Sequence, residues 1–174
     1  MLIHRKDIYD GRVVKVSVDT VDLPNGVRLP LEIIRHPGGA AAVAIDDDNR
    51  VCLLHQYRHA AGGYIYELPA GKLEPPEAPE VTVKRELAEE ASMAAAHWES
   101  LGNFYSSPGV FTEVIHLYLA TGLTPVDSKP EVGEVFQVEW WPLELAVARA
   151  RNGELIDGKT IIGILRAAAL KKIA

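Results

Sequence analysis

Gly71-Lys72-Leu73-Glu74-Pro75-Pro76-Glu77-Ala78-Pro79-Glu80-Val81-Thr82-Val83-Lys84-Arg85-Glu86-Leu87-Ala88-Glu89-Glu90-Ala91-Ser92-Met93 is the stretch that decides the fold. From Pro79 to about Ala91 it reads as a helix. Pro79 suits the first turn, where a missing N–H costs nothing, and Val83, Leu87 and Ala91 repeat every four residues as an apolar stripe. Glu86, Glu89 and Glu90 stand at i, i+3 and i+4, so their carboxylates share a face and repel one another. A hard divalent cation removes that penalty, because carboxylate oxygens suit it. On spacing alone a solvated acidic face is the commoner meaning. Gly71, after Pro69-Ala70, marks a place where the backbone turns sharply and can approach a ligand closely.

Outward from the helix, the N-terminal side is rich in strands. Residues 11 to 35 read as two extended segments around the turn Pro24-Asn25-Gly26, with Val14, Val16 and Val18 alternating with polar residues. A second hairpin is expected from Ala40–Ile45 and Val51–Leu54 around Asp46-Asp47-Asp48-Asn49. That aspartate run reads as a solvated turn, since successive extended residues point to opposite faces. A short strand, Tyr64–Leu68, leads into the decisive stretch. Strand-like segments follow at 99–104, 113–120 and 134–141, then helices over Pro142 to about Asn152 and Gly158 to about Lys171. The pattern is mixed α+β, with a sheet covered by helices.

Composition narrows the classes. The chain has 174 residues, enough for one self-supporting domain, and a formal net charge of -6, which argues against a nucleic-acid partner. No apolar run approaches a membrane span and no signal peptide is visible, so no membrane is expected and a cytoplasmic location follows by default. The single cysteine, Cys52, sits in an apolar run and reads as a small buried hydrophobe. The histidines show no zinc spacing. Trp140-Trp141 is expected to anchor the C-terminal helices.

The spacing of Gly71, Glu77, Arg85-Glu86-Leu87 and Glu89-Glu90 resembles the Nudix box, with Ser92 where that pattern has glycine. The resemblance implies a Nudix fold: an α/β/α sandwich with a mixed sheet flanked by helices. Here it would span 37–174, preceded by an N-terminal β-hairpin and dimerisation region over 1–36. It also implies a Mg²⁺-dependent hydrolase (Mn²⁺ the alternative) that cuts a pyrophosphate bond without a covalent nucleophile. Glu86 and Glu90 would be the main metal ligands, joined by the Ala70 carbonyl and with Glu89 nearby. Gly71, Glu77 and Arg85 would shape the box, the last two as a pair fixing the loop against the helix.

Two flanking features extend the resemblance. Gln56-Tyr57-Arg58 precedes the box, and Ser106-Ser107-Pro108-Gly109 follows Met93, with Glu113 after it. Together they look like the ADP-ribose pyrophosphatase branch, homodimers that release AMP and ribose 5-phosphate. Arg58 is then a candidate phosphate contact, Glu67 an orienting or ribose-contacting group, and Pro108 part of the substrate site. The general base would lie in the loop 124–134, with Glu131 favoured over Glu134 and Glu89. GDP-mannose or another sugar nucleotide is the alternative substrate. A Nudix-fold module without catalysis is the alternative class, though such a module would be expected to lose box carboxylates.

Overall fold

The computed structural model describes residues 1–127 and 133–172. The decisive stretch opens on the short strand β7 (Ala70–Lys72) and continues into the helix α1 (Pro79–Ala91). Its N-cap, Ala78, has no side-chain hydrogen bond, so Pro79 alone pre-sets the entry. The C-cap is Ser92 in the left-handed conformation (φ 51°), its N–H bonded to Ala88 and Leu87. The backbone thus takes the shape glycine would allow, with a serine in the place.

One four-stranded sheet runs β7, β4 (Gly39–Ala44), β9 (Val114–Pro125), β8 (Met93–Tyr105). Every residue of β4 is buried, and its alternation sorts the core. Ala40, Ala42 and Ala44 face Val83 and Leu87 of α1. Ala41 and Val43 face the other way, with Leu117, toward Ile164 and Ala167 of α3 (Gly158–Leu170). Small residues on β4 let helices approach from both sides. At Gly163 a Cβ would meet Leu68 and Val43 at 2.7 and 3.0 Å. Fully buried Val83 and Leu87 each contribute about 1.5–3 kcal/mol of burial.

A second sheet runs β10 (Phe136–Pro142), β5 (Arg50–Arg58), β6 (Gly63–Glu67). The hairpin expected from 40–45 and 51–54 does not form. Strands β4 and β5 meet only at one bridge, Ile45↔Val51. Instead β4 pairs in parallel with β9, Gly39 opposite Ile115. A strand buried on both faces belongs between helices at a sheet centre, not in a two-stranded ribbon. Trp141 is buried against Tyr66, with Arg149 of α2 (Leu143–Asn152) stacked on it at 4.5 Å, so it anchors α2.

The hairpin expected over 11–35 forms as β2 (Lys15–Asp22) and β3 (Arg28–Arg35), antiparallel around the turn at 24–26, and a strand not expected from the sequence, β1 (Leu2–Asp10), extends it to a three-stranded meander. Every residue of β1 is exposed, which is why its sequence shows no apolar alternation. Asp19 ties the three strands together through Ser17, Arg5 and Arg35. Burial pushes its carboxyl up, but those three donors outweigh burial and hold it below the ordinary range. No helix among the described residues is long and apolar enough to cross a membrane.

Candidate active site

A cleft of about 810 Å³ opens beside the start of β7. Its walls include Ala70, Gly71, Glu86, Arg58 and Lys159, with Glu134 at the approach to β10. Arg12, from the β1–β2 turn, also lines it.

The α1 carboxylates are set by its packing. Val83 and Leu87 turn one stripe into the core, so Glu86 and Glu90, one residue off that stripe, are carried under with it. They are 8% and 3% exposed. Glu90 Oε2 accepts from the Ala70 N–H at 2.7 Å, which ties α1 to β7. Burial pushes Glu90 up to about 8, with Glu86 and Glu134 adding to the rise against the Ala70 N–H and Arg58. Burial likewise raises Glu86, against Arg85 and helped by Glu89 and Glu134. Three carboxylates thus repel one another in a partly dry site.

Arg85 is the internal counter-ion. Its Nη1 donates to Glu86 Oε1 at 2.7 Å and Glu89 Oε2 at 2.9 Å. Its Nε and Nη2 lie 3.5 and 3.4 Å from Glu77. Thr82 Oγ1 donates to the same Glu77 at 2.8 Å, and Thr82 and Arg85 together lower that carboxyl. The loop before α1 is thereby pinned to the helix that carries the carboxylates.

Among the described residues no three His, Cys, Asp or Glu side chains already stand in ligating geometry. The donor chemistry nonetheless fits a hard divalent cation. Glu86 and Glu90 are buried carboxylates whose ionised forms are disfavoured, and Glu134 adds its charge to both. Gly71 supplies a second sign. A Cβ there would fall on the Glu86 carboxylate, so that side chain occupies space only glycine leaves. Gly71→Ala is expected to displace Glu86 and lower kcat/KM by about 10²-fold, since a misplacement of about 1 Å can cost that much. Parent-like kinetics in a folded Gly71→Ala protein would show that the close approach is not needed.

Arg58 and Glu67 are paired, Nη2 to Oε2 at 2.6 Å and Nε to Oε2 at 2.8 Å. The pairing follows from register. Leu54 is opposite Glu67 and Arg58 opposite Gly63, so both side chains leave the same face of the β5–β6 pair. Pro108 is exposed in its turn and does not line the cleft, whereas Ser106 and Glu113 from the same segment do. Glu131 lies outside the described residues. Lys159 was not foreseen. Asp157-Gly158-Lys159-Thr160 carries the signal of a helix N-cap, and Asp157 does cap α3 through Thr160 N–H at 3.0 Å. Nothing in that signal shows that the next cation reaches Glu67.

Residues 35–161 match the NUDIX domain. The chain is 41% identical to the methanol dehydrogenase activator of Bacillus methanolicus over 93% of its length and 89% of that protein's. It is 37% identical, with the same coverage, to the ADP-ribose pyrophosphatase of Bacillus subtilis. A crystal structure of an ADP compounds hydrolase superimposes with a TM-score of 0.85 over 99% of this chain and 94% of that one. At 19% identity that likeness is one of fold. The box at 71–93, the sandwich that holds it and the match across most of its length place this chain in the Nudix family.

Proposed function

We propose that this chain hydrolyses the pyrophosphate bond of ADP-ribose, giving AMP and ribose 5-phosphate, with Mg²⁺ as the metal. The observation that carries the reading is Glu86, with buried Glu90 coupled to it, sharing one nucleotide-sized cleft with Glu134 and Arg58. Glu86 and Glu90, with the Ala70 carbonyl, would hold the metal, and Glu89 stands beside them. Bound there, the ion would neutralise phosphate charge and make water a better nucleophile. The chain's own groups do the rest. Glu77 and Arg85 fix the loop, Glu67 holds Arg58 toward the cleft, and Arg58 offers its remaining N–H groups to phosphate oxygens. The ADP-ribose pyrophosphatase of Bacillus subtilis supports the choice of substrate.

Product analysis with ADP-ribose and GDP-mannose side by side tests this. AMP released only with Mg²⁺ present and only from ADP-ribose is the expected result; preferential cleavage of GDP-mannose would overturn the substrate. A second reading comes from the Bacillus methanolicus relative: this chain would raise the turnover of a methanol dehydrogenase. Adding the protein to such an enzyme, with and without intact Glu86, separates activation through hydrolysis from activation by binding.

The proposal includes a homodimer in the cytoplasm, with residues 1–36 as a dimerisation region distinct from the hydrolase domain at 37–174. Strand β1 supports it, with Leu2, Ile3, Ile8 and Tyr9 exposed along one unpaired edge. Light scattering should give twice the chain mass at micromolar concentration, and a monomer would sink this part of the reading.

A further inference from the structure

We propose that Lys159 is a substrate-binding residue, and that Lys159 and Arg58 together hold the non-bridging oxygens of the pyrophosphate in the cleft that Glu86 also lines. The inference rests on the pyrophosphatase reading and adds to it a residue from the far end of the chain.

Lys159 belongs to the first turn of α3, and its side chain is 14% exposed. Its Nζ lies 3.0 Å from Glu67 Oε1 and 3.1 Å from Asp157 Oδ2. Glu67 is itself buried, and its other oxygen takes Arg58. One carboxylate thus divides its two oxygens between two cations and fixes their separation. Both cations line the cleft with Ala70, Gly71 and Glu86. An ammonium has three N–H donors, and two are accounted for by Glu67 and Asp157. Arg58 spends its Nε and one Nη on Glu67 and keeps further donors.

A purely structural role would be to tie α3 to the strand entering the box. That tie is already made without Lys159. Leu68 N–H donates to Thr160 Oγ1 at 2.9 Å, and Thr160 Oγ1 donates to Asp157 at 2.6 Å. Gly163 packs directly on Leu68 and Val43. Burying an ammonium to repeat that tie adds little, because desolvation cancels most of what a buried ion pair returns. A cation held at the cleft wall by two acids is instead what an anionic ligand requires. Arg58 and Lys159 are balanced by Glu67 and Asp157 in the free protein. They therefore stay in place without a ligand and need little rearrangement to receive one.

The test compares parent, Lys159→Met and Lys159→Arg. Steady-state kinetics on ADP-ribose are joined to calorimetric binding of ADP-ribose in EDTA, where turnover stops. Lys159→Met keeps the aliphatic stem and removes the charge. It should raise KM and Kd by about 10- to 100-fold, the range for a lost charge-assisted hydrogen bond. kcat and the half-saturating Mg²⁺ concentration should change little, because such binding is shared by ground and transition states. Lys159→Arg should recover most of the affinity, and Lys84→Met, on the exposed face of α1, should leave it alone. Should Lys159→Met not fold, Lys159→Gln carries the same comparison.

Unchanged KM and Kd in Lys159→Met, with only a lower Tm, would make Lys159 a structural pin and overturn the inference while leaving the hydrolase reading intact. A shift in Mg²⁺ requirement with unchanged Kd would also overturn it. A parent that neither binds nor cleaves ADP-ribose would remove the functional reading and this inference with it.

Discussion

Glu86→Gln and Glu90→Gln are each expected to lower kcat by about 10³-fold or more with the fold retained, since stabilising the charge of a transferring phosphoryl group is worth several kcal/mol. The substitution changes charge and little else. The amide oxygen of Glu90→Gln can still accept the Ala70 N–H that Glu90 takes at 2.7 Å. Circular dichroism should therefore be unchanged. Stability in EDTA should rise, because a buried, self-repelling carboxylate has been neutralised. The sign with pH follows. Glu90 is raised from an ordinary 4.5 to about 8, so its contribution to stability is full below 4.5 and lost as pH rises through 8. The gap in Tm between metal-free parent and Glu90→Gln should widen from pH 5 to pH 9. Near-parent kcat in either variant at saturating Mg²⁺ would reject these residues as metal ligands.

Glu131→Gln should lower kcat by ~10²–10⁴-fold with little change in the Mg²⁺ requirement, the pattern of a lost general base. The expectation comes from its place in the segment 124–134, whose sequence, with Pro125, Asp127, Pro130 and Gly133, reads as a loop. Glu134 is positioned differently. It lines the cleft, and its charge raises both Glu86 and Glu90, so it belongs electrostatically to the carboxylate group. Glu134→Gln should accordingly raise the Mg²⁺ concentration needed for half-maximal rate. Measured kcat for Glu131→Gln within a few-fold of the parent would move the role of base to Glu134 or Glu89. Glu89 is the weaker heir, because its Oε2 is already held by Arg85 at 2.9 Å.

The helix that carries the chemistry was legible because its information is local. The i, i+4 stripe of Val83 and Leu87, the acids beside it and Pro79 at the entry all act within a few residues of one another. Ser92 stands where the family pattern has glycine, and the left-handed turn forms there all the same. Strand β1 was missed because exposure on both faces removes the alternation that betrays a strand. The β4–β5 hairpin was misread because a short loop between two apolar runs looks the same whether they pair or part. What separates them is the parallel partner β9, reached only after α1 and β8. Arg58 could be named from its motif. Lys159 could not, because its meaning depends on Glu67, which lies far back along the chain and on another element.

The contact between Leu68 and Thr160 spans 92 positions, and this has a consequence for how the protein comes into being. During synthesis, at roughly 5–20 residues per second, β4 to β6 and the box leave the ribosome before α3. Until α3 emerges they have no helix to close their second face and no Lys159 beside Glu67. A nascent or prematurely terminated chain therefore carries its acidic helix without the cation that α3 brings to the cleft. Fragments ending before residue 158 should be inert toward nucleotides, because the complete cleft exists only once α3 has emerged.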